Sequence, residues 1–239
     1  MEKKLNILCT ICVRGGSKGI LNKNLKKING FPLIYYTIKQ AIKSKLFDAI
    51  VVSTDSKKIK KLSNKFGAQS WFLRPKKYAL NKSAKLPAIR HAFKMSEKYF
   101  KKKFDVLIDL DATSPLRSTQ DILNSFKKFK SSRCSNLISV CKSKKNPYFN
   151  MVELKNNRIN LVKKNGKGII NSRQDAPSVY DVNASIYIWK RKSIIKKNKI
   201  INSKTAIFEM PYERSIDIDS NIDWTLVEFL LKKRNVLLR

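Results

Sequence analysis

Short apolar runs alternate with amphipathic stretches through the first half of the sequence, and this alternation limits the fold more than any other feature. The runs at residues 5–13, 49–53 and 106–110 have the length of buried strands. A shorter run at residues 71–73 predicts a further strand, and segments such as residues 84–101 repeat apolar residues at helical spacing. Repeated strand-helix units predict an α/β fold with a mostly parallel sheet and helices on both faces.

The pattern changes after residue 131, where predicted strands follow one another without helices between them. They cover residues 137–140, 151–154, 158–162 and 182–189. We expect a single domain over residues 1–239, with a β-rich arm inserted at about residues 141–190. An apolar and aromatic arm of this kind covers a sheet edge or packs on a partner subunit, and it therefore predicts a homodimer.

The chain is strongly basic, with 52 Lys and Arg residues against 17 Asp and Glu residues and a formal net charge of +35. Its 42% of hydrophobic residues can bury a core, which excludes a disordered polycation. The lysines recur in every segment, and Ile and Asn are also abundant, which indicates the coding bias of an AT-rich genome and solvated helix faces. We therefore expect no specific nucleic-acid partner. A basic nucleic-acid-binding protein is the alternative outside the enzymes.

The sequence has no apolar run near the roughly 18 residues that span a bilayer, so we expect a cytoplasmic protein without membrane contact. Among its four cysteines, Cys9 and Cys12 are close in sequence. Three residues apart on a strand, they face opposite sides of the sheet. We interpret them as core residues rather than as a redox or zinc pair.

The segment VRGGSKGILNKN at residues 13–24 directly follows the first predicted strand. Ligands of α/β sheets gather at the carboxyl ends of strands, so this loop lies at the predicted site. Its three glycines permit a close backbone approach to a phosphate chain, and its cations supply donors to the phosphate oxygens. The glycines are Gly15, Gly16 and Gly19, and the cations are Arg14, Lys18 and Lys23. The loop does not match the Walker A pattern GxxxxGK[ST], and a glycine-rich loop can also be only a tight turn.

Asp217 and Asp219 alternate with isoleucines in the segment SIDID at residues 215–219. Residues two apart on an extended segment face the same side, so both carboxylates can point at one hard cation. Mg²⁺ bridging a triphosphate is the predicted guest, and a solvent-facing acidic edge is the alternative. Asp109 and Asp111 have the same spacing at the end of a predicted strand, and they either contact metal or substrate or cap the next turn.

Five motifs occur in one order along the chain. They are VRGGSKG followed by KN, LRP at residues 73–75, TSPLR at residues 113–117, NASIYIW at residues 183–189 and SIDIDSNID at residues 215–223. Over nearly its whole length the chain therefore resembles the bacterial CMP-N-acylneuraminate synthetases, or acylneuraminate cytidylyltransferases. The resemblance implies a Rossmann-like nucleotidyltransferase fold with a small dimerisation arm. It also implies that CTP and a nonulosonic acid react to give a CMP-sugar and pyrophosphate.

The resemblance implies roles for individual residues. The implied CTP-binding set is Arg14, Gly15, Gly16, Ser17, Lys18, Lys23, Asn24 and Arg74. Within it, Asn24 and Arg74 recognise the cytidine and the others hold the triphosphate. The implied catalytic set is Arg14, Lys18, Asp217 and Asp219, of which the two aspartates bind Mg²⁺. The anomeric hydroxyl of the sugar attacks the α-phosphorus of CTP in this reaction, and the group that accepts its proton stays open.

The motifs depart from the sialic-acid pattern where they concern the sugar. Sialic-acid members often carry Gln at the position of Asp111, and residues 146–154 and 173–189 look more like the branch that activates legionaminic acid. The predicted sugar-binding residues are Asp111, Arg173 and Asn183. The guanidinium of Arg173 suits the sugar carboxylate. A synthetase for another sugar acid, such as Kdo, is the alternative, and we expect no fused C-terminal hydrolase domain.

Overall fold

The computed structural model describes residues 4–17, 19–80, 84–164, 170, 172, 174–196 and 199–237. Within them the chain forms ten β-strands and six α-helices. The strands are β1 (Ile7–Cys12), β2 (Lys27–Ile28), β3 (Phe31–Pro32), β4 (Ala49–Ser53), β5 (Val106–Leu110), β6 (Asn136–Lys142), β7 (Val152–Lys155), β8 (Arg158–Leu161), β9 (Tyr180–Lys190) and β10 (Thr205–Glu209). The helices are α1 (Leu33–Lys43), α2 (Lys57–Lys65), α3 (Lys85–Phe100), α4 (Thr119–Ser131), α5 (Arg191–Lys196) and α6 (Asn221–Leu237).

A six-stranded sheet forms the centre of the described chain, in the order β10-β6-β9-β5-β1-β4. β1 pairs in parallel with β4 and β5, and β6 pairs in parallel with β10. β9 is antiparallel to both of its neighbours, β5 and β6. The predicted mostly parallel sheet is therefore confirmed, with β9 as its antiparallel strand.

Helices cover both faces of this sheet. Ile38 of α1 and Ile122 of α4 pack with Cys9 of β1 on one face. Ile89 of α3 packs with Leu8 of β1 on the other face. Adjacent residues of β1 thus enter opposite layers, as the two-residue period of a strand requires. The predicted α/β fold class is confirmed.

The cysteines also follow this alternation. Cys9 belongs to the layer under α1, and Cys12 packs in the layer under α3. Both are free thiols, as are Cys134 and Cys141. Their interpretation as core residues agrees with these positions. Among the helices that the structure describes, none is both long and apolar enough to cross a membrane.

The separate β-rich part is smaller than the sequence predicts. β6 and β9 belong to the main sheet, so the inserted part lies between Lys142 and Tyr180 rather than over residues 141–190. Within it, β7 and β8 form a hairpin that makes no strand pairing to the sheet. The apolar run in β9 reflects a strand that is covered on both faces. In a sequence, such a run is difficult to distinguish from an apolar arm.

The β7–β8 hairpin is exposed on both of its faces. Asn156 and Asn157 form its two-residue turn, and both adopt left-handed φ values, 51° and 56°. Leu154 and Ile159 pair directly across the hairpin, and each is 73% exposed. An apolar surface on such a short hairpin is typical of a segment that packs on another surface.

The predicted strand at residues 71–73 does not form. Gln69 makes an isolated parallel bridge to Val51 instead. Trp71 stacks on Tyr99 of α3, with the ring centroids 4.0 Å apart. The apolar run there is explained by aromatic packing on a helix rather than by strand pairing.

Candidate functional site

A cavity of about 500 Å³ opens at the carboxyl ends of β1 and β5. Its walls come from the loop after β1, from the segment around Arg74 and the start of α3, from the end of β5 and from Asp219. The predicted site residues that line it are Arg14, Ser17, Lys23, Asn24, Arg74, Asp111 and Asp219. The fold therefore brings the predicted phosphate loop and part of the predicted acidic set to one place.

Two glycines of the loop lie close to other parts of the protein. The Gly15 amide donates to Asp55 Oδ1 at 2.8 Å, and a Cβ on Gly15 would lie 3.0 Å from the Cβ of Ser56. A Cβ on Gly19 would lie 2.2 Å from the carbonyl oxygen of Asp219. These two glycines therefore allow close packing within the protein, whereas a Cβ on Gly16 would meet nothing within 4 Å.

Asn24 and Arg74 are both about 5% exposed and line the cavity. Asn24 Nδ2 donates to the Arg14 carbonyl at 3.2 Å, and Arg74 Nη2 donates to the Val13 carbonyl at 2.7 Å. Two further polar atoms of these residues, Asn24 Oδ1 and Arg74 Nε, have no hydrogen-bond partner among the described residues. Buried polar groups are nearly always paired, so this acceptor and this donor fit a polar ligand in the cavity.

The segment that carries Asp217 and Asp219 is held at several points. Arg214 Nε donates to Asp121 Oδ2 at 2.8 Å, and Asp121 itself completes the capping box at the start of α4. The Ile218 amide donates to the Thr113 carbonyl at 3.0 Å. Because these contacts fix the segment on both sides of Asp217, its two carboxylates have a defined position relative to the end of β5.

Lys23 connects the phosphate loop to this acidic segment. Its Nζ lies 3.0 Å from Asp219 Oδ1 and also donates to the Ile218 carbonyl. The Lys23 side chain is mostly buried, whereas the Asp219 side chain is 77% exposed. One carboxylate of the pair therefore faces solvent, beside a cation of the predicted triphosphate set.

Asp217 is partly buried, and its Oδ1 has no hydrogen-bond partner among the described residues. Burial, and then the nearby carboxylates of Asp111 and Asp219, raise the pKa of Asp217 to about 6. Asp217 does not itself line the cavity, but two carboxylates that do line it repel its charge. The three carboxylates thus form a region of concentrated negative charge that an added cation would stabilise.

A half-buried lysine, Lys85, stands beside the other predicted carboxylates. Lys85 Nζ lies 2.6 Å from Asp111 Oδ2 and 3.3 Å from Asp109 Oδ2. Burial disfavours the charge of Asp111, but the Lys85 ammonium and hydrogen bonds from Thr113 outweigh it and hold the pKa of Asp111 at about 2. Burial raises the pKa of Asp109, although Lys85 and Thr10 oppose this. Asp111 lines the cavity, whereas Asp109 is fully buried.

The other two predicted sugar-binding residues are Asn183 and Arg173. Asn183 is buried in β9, where its Oδ1 accepts from Ser139 Oγ at 2.6 Å and its Nδ2 donates to Ser215 Oγ at 2.9 Å. It does not line the cavity, and its hydrogen bond to Ser215 helps to hold the segment before Asp217, so its predicted contact with the sugar stays a prediction. Arg173 lies outside the described residues, as does Lys18 of the phosphate loop.

The family model for cytidylyltransferases matches residues 8–237, which is nearly the whole chain. The chain belongs to the cytidylyltransferase family.

Several relatives and solved structures are similar to this cytidylyltransferase. The CMP-N,N'-diacetyllegionaminic acid synthase of Campylobacter jejuni is 46% identical over 96% of this chain and 97% of its own length. The post-translational flagellin modification protein B of Campylobacter coli is 45% identical over the same shares. The solved structure of CMP:2-keto-3-deoxy-manno-octonic acid synthetase complexed with CTP has a TM-score of 0.70 and covers 96% of this chain and 99% of that one. At 13% identity, it shows the fold alone.

The donor set around Asp217 fits a divalent cation that is shared with a substrate. Mg²⁺ takes oxygen ligands, and it usually uses one or two carboxylates together with substrate phosphates. Asp217 supplies an unpaired carboxylate oxygen, and Asp219 supplies a largely exposed carboxylate. The described residues contain no cluster of three or more metal-ligating side chains, so phosphate oxygens and water would complete the coordination.

Lys85 is not among the residues predicted from the sequence. A signal was present, because Lys85 begins α3 and shares one helix face with the buried residues Ala88, Ile89 and Ala92. A lysine on an apolar helix face requires a partner for its charge, and two aspartates at the end of a buried strand are candidates for that partner. The motif TSPLR has a structural explanation, since Arg117 Nη1 donates to the Ser185 carbonyl at 2.7 Å and so ties the turn after β5 to β9.

Proposed function

We propose that this protein transfers a cytidylyl group from CTP to a nonulosonic acid of the legionaminic or sialic type, with release of pyrophosphate. The observation that carries the proposal is that cations, unpaired polar groups and carboxylates meet in one cavity of a cytidylyltransferase. A relative at 46% identity, the CMP-N,N'-diacetyllegionaminic acid synthase of Campylobacter jejuni, supports the choice of sugar acid.

The nucleotide is assigned to the side of the cavity formed by the loop after β1. Arg14, Ser17 and Lys23 line that side and can bind the triphosphate oxygens, and Lys18 joins them on the family resemblance alone. The unpaired Asn24 Oδ1 is an acceptor for the amino group of cytosine, and the unpaired Arg74 Nε is a donor for its ring acceptors. This pairing supports CTP over UTP, since uracil carries a carbonyl where cytosine carries the amino group.

Mg²⁺ is the metal that we propose for Asp217 and Asp219. When bound there, the ion would neutralise charge on the phosphates of CTP. The raised pKa of Asp217 and its unpaired oxygen support a site that is stabilised by a cation. Lys23 orients Asp219 through its ion pair, and the anchored Ile218 amide holds both carboxylates at the end of β5.

The chemical step is a displacement at phosphorus. The oxygen of the anomeric C2 hydroxyl of the sugar acid forms a bond to the α-phosphorus, while the bond from that phosphorus to the bridging oxygen of the β-phosphate breaks. The electron pair of the broken bond leaves with pyrophosphate, and the hydroxyl proton passes to a base or to water. Arg14 and Lys23 stabilise the negative charge on the phosphates as the step proceeds.

Pyrophosphate release from purified protein, CTP and Mg²⁺ tests this proposal. The panel holds legionaminic, sialic, pseudaminic and Kdo acids, with ATP, GTP and UTP as nucleotide controls. We expect release with CTP and a legionaminic or sialic acid. Release with Kdo alone would show that the sugar assignment is wrong, and no release from folded protein would contradict the reaction itself.

We also propose that the protein is a cytoplasmic homodimer. The exposed apolar residues of the β7–β8 hairpin, which include Val152, Leu154 and Ile159, support association with a second copy. The free thiols of the core support a reducing compartment. Sedimentation of the full chain at micromolar concentration measures the assembly. We expect a mass of two chains, and a monomeric mass would contradict the dimer.

A further inference from the structure

Lys85 lies at the boundary between α3 and the cavity, and no step of the proposed reaction uses it. It is the first residue of α3 and it lines the cavity. Its Nζ faces Asp111 Oδ2 at 2.6 Å, Asp109 Oδ2 at 3.3 Å and the Ala184 carbonyl at 3.5 Å. It also lies 4.6 Å from the centroid of the Tyr187 ring.

These contacts direct the ammonium group toward protein oxygens. Nζ donates to Asp111 Oδ2 and to the Ala184 carbonyl, whereas Asp109 Oδ2 lies within ion-pair distance without a hydrogen bond. A cation whose charge is already balanced by two carboxylates attracts a phosphate only weakly. This distinguishes Lys85 from Arg74, whose Nη2 donates to a single backbone carbonyl, that of Val13, at 2.7 Å. Lys85 therefore acts on the protein rather than on the nucleotide.

The Asp111 carboxylate, which pairs with Lys85, can accept a further hydrogen bond. Asp111 Oδ1 accepts from the Thr113 amide at 3.1 Å and from Thr113 Oγ1 at 2.8 Å. Asp111 Oδ2 accepts from Lys85 alone among the described residues. A carboxylate oxygen has two lone pairs, so Oδ2 can accept one more hydrogen bond from a group in the cavity.

The backbone of β9 near Asp111 is irregular, and this irregularity helps to position Lys85 and Asp111. The register of β9 against β6 shifts between Ile138 and Val140, and Ala184 in β9 has a φ of 53°. This irregularity presents the Ala184 carbonyl to Lys85 and the Ser185 carbonyl to the Asp111 amide, at 3.1 Å. Such irregularities often re-aim groups next to a binding site.

We propose that Lys85 is a positioning residue that fixes the Asp111 carboxylate as an acceptor for a hydroxyl or amide N–H group of the sugar acid. The inference rests on the proposed function, and it extends that function by naming the residue that shapes the sugar side of the cavity. A negatively charged acceptor at this place attracts neutral donors and repels phosphates, so the two substrates bind on different sides. Loss of Lys85 would leave Asp109 and Asp111 without their shared counter-ion.

Steady-state kinetics of Lys85→Met test this proposal, with CTP and the sugar acid varied in separate experiments. We expect the KM for the sugar acid to rise roughly ten- to hundredfold, as for loss of a hydrogen bond to a charged group. The KM for CTP stays within about twofold, because Lys85 does not hold the nucleotide. Lys94→Met is the matched control, since Lys94 is an exposed lysine on the same helix. It removes the same charge without a change in either KM.

Two further variants separate positioning from a general structural role. Lys85→Arg keeps a cation between the two aspartates, and we expect it to restore the KM for the sugar acid to within about threefold of the original chain. Asp111→Asn removes the charged acceptor, and we expect it to raise the same KM. The double variant Lys85→Met with Asp111→Asn is expected to be no worse than Lys85→Met alone, because both changes remove one interaction.

Several outcomes would overturn the proposal. A rise in the KM for CTP with Lys85→Met would place Lys85 on the nucleotide, and a fall in kcat with both KM values unchanged would make it merely structural. If Lys85→Met loses its circular dichroism signal, Asp111→Asn decides, and an unchanged KM for the sugar acid overturns the proposal. Absence of pyrophosphate release by the unaltered chain is a different result, since it contradicts the proposed function itself.

Discussion

The two sides of the cavity differ in charge and in how they are held. We call Arg14, Lys23 and Arg74 the basic side, and Asp111 and Asp219, together with the neighbouring Asp217 that does not line the cavity, the acidic side. The basic side stands on the loop after β1 and on the segment around Arg74, where the Val13 carbonyl accepts from the buried Arg74 and the Asp219 carboxylate pairs with Lys23. The acidic side stands on the end of β5 and on a segment anchored to it, and its charges repel one another.

This difference shows where the protein depends on its substrates. On the basic side, Arg74 Nη2 and Lys23 Nζ have protein oxygens as partners, whereas Arg74 Nε has none among the described residues. The acidic side is only partly compensated, because Lys85 serves Asp111 whereas Asp217 has an unpaired oxygen and a raised pKa. A cation and a phosphate chain between the two sides would satisfy both at once.

The largest expected effect is loss of turnover when the acidic side loses Asp217. Asp217→Asn keeps the shape of the side chain but removes the charge that we assign to Mg²⁺. We expect kcat to fall by on the order of a thousandfold, since metal stabilisation of phosphate charge contributes several kcal/mol. Pyrophosphate release measured over a range of Mg²⁺ concentrations checks this. EDTA should reduce the unaltered chain to a similar rate.

The control for this variant is Asp181→Asn, which neutralises an exposed carboxylate on β9, outside the cavity. It should keep its turnover. If Asp217→Asn also keeps its turnover, the metal assignment is wrong.

A somewhat smaller effect is expected when the basic side loses Arg74. Arg74→Met removes the Nε donor that we assign to cytosine together with the bond to the Val13 carbonyl. We expect the KM for CTP to rise roughly ten- to hundredfold, with the KM for the sugar acid unchanged. Lys76→Met, an exposed change nearby, controls for local charge. An equal rise in both KM values would mean that the two sides do not bind separate substrates.

The contact between the two sides can be altered by one methyl group. A Cβ on Gly19 would lie 2.2 Å from the Asp219 carbonyl, so Gly19→Ala must push the loop away from the acidic segment. We expect about a tenfold loss of kcat/KM and a lower free energy of unfolding, by about 1 to 3 kcal/mol. Denaturant unfolding measures the second quantity. Gly16→Ala is the stability control, because its Cβ meets nothing within 4 Å, and an equal loss there would contradict this explanation.

The sequence predicted the α/β layers and the place of the site because both depend on local patterns. Apolar runs identified β1, β4 and β5, and loops that follow parallel strands meet at one edge of the sheet. Pairing between strands that are distant in the sequence was harder to predict. β9 reads as part of an arm in the sequence, but in the structure it lies between β5 and β6, a long-range choice that no local pattern encodes.

The same limit explains what was missed within the site. Lys85 is separated from Asp109 and Asp111 by more than twenty residues of sequence, so their ion pairs appear only once α3 has packed on the sheet. Asn183 belongs to a motif of the family, yet its side chain forms hydrogen bonds with Ser139 and Ser215 inside the protein. A motif shows that a residue matters, whereas the packing shows which protein groups its side chain contacts.

The smallest expected effect concerns stability and follows from the unbalanced charge of the acidic side. The pKa of Asp217 is about 6 in the folded chain against an ordinary value of 3.8. Between these values the folded chain binds more protons than the unfolded chain does, so the free energy of unfolding decreases as pH rises through about 6. At neutral pH the Asp217 charge therefore destabilises the fold when neither Mg²⁺ nor CTP is present.

Asp217→Asn removes that cost and should stabilise the chain at pH 8 while it abolishes turnover. The full difference in pKa corresponds to about 3 kcal/mol, and solvent at the partly exposed carboxylate reduces the expected gain to about 1 kcal/mol. Urea unfolding at pH 8 and at pH 4 measures it, and the gain should shrink toward zero at pH 4, where the carboxylate is protonated. A gain that does not change with pH would assign the effect to packing rather than to charge.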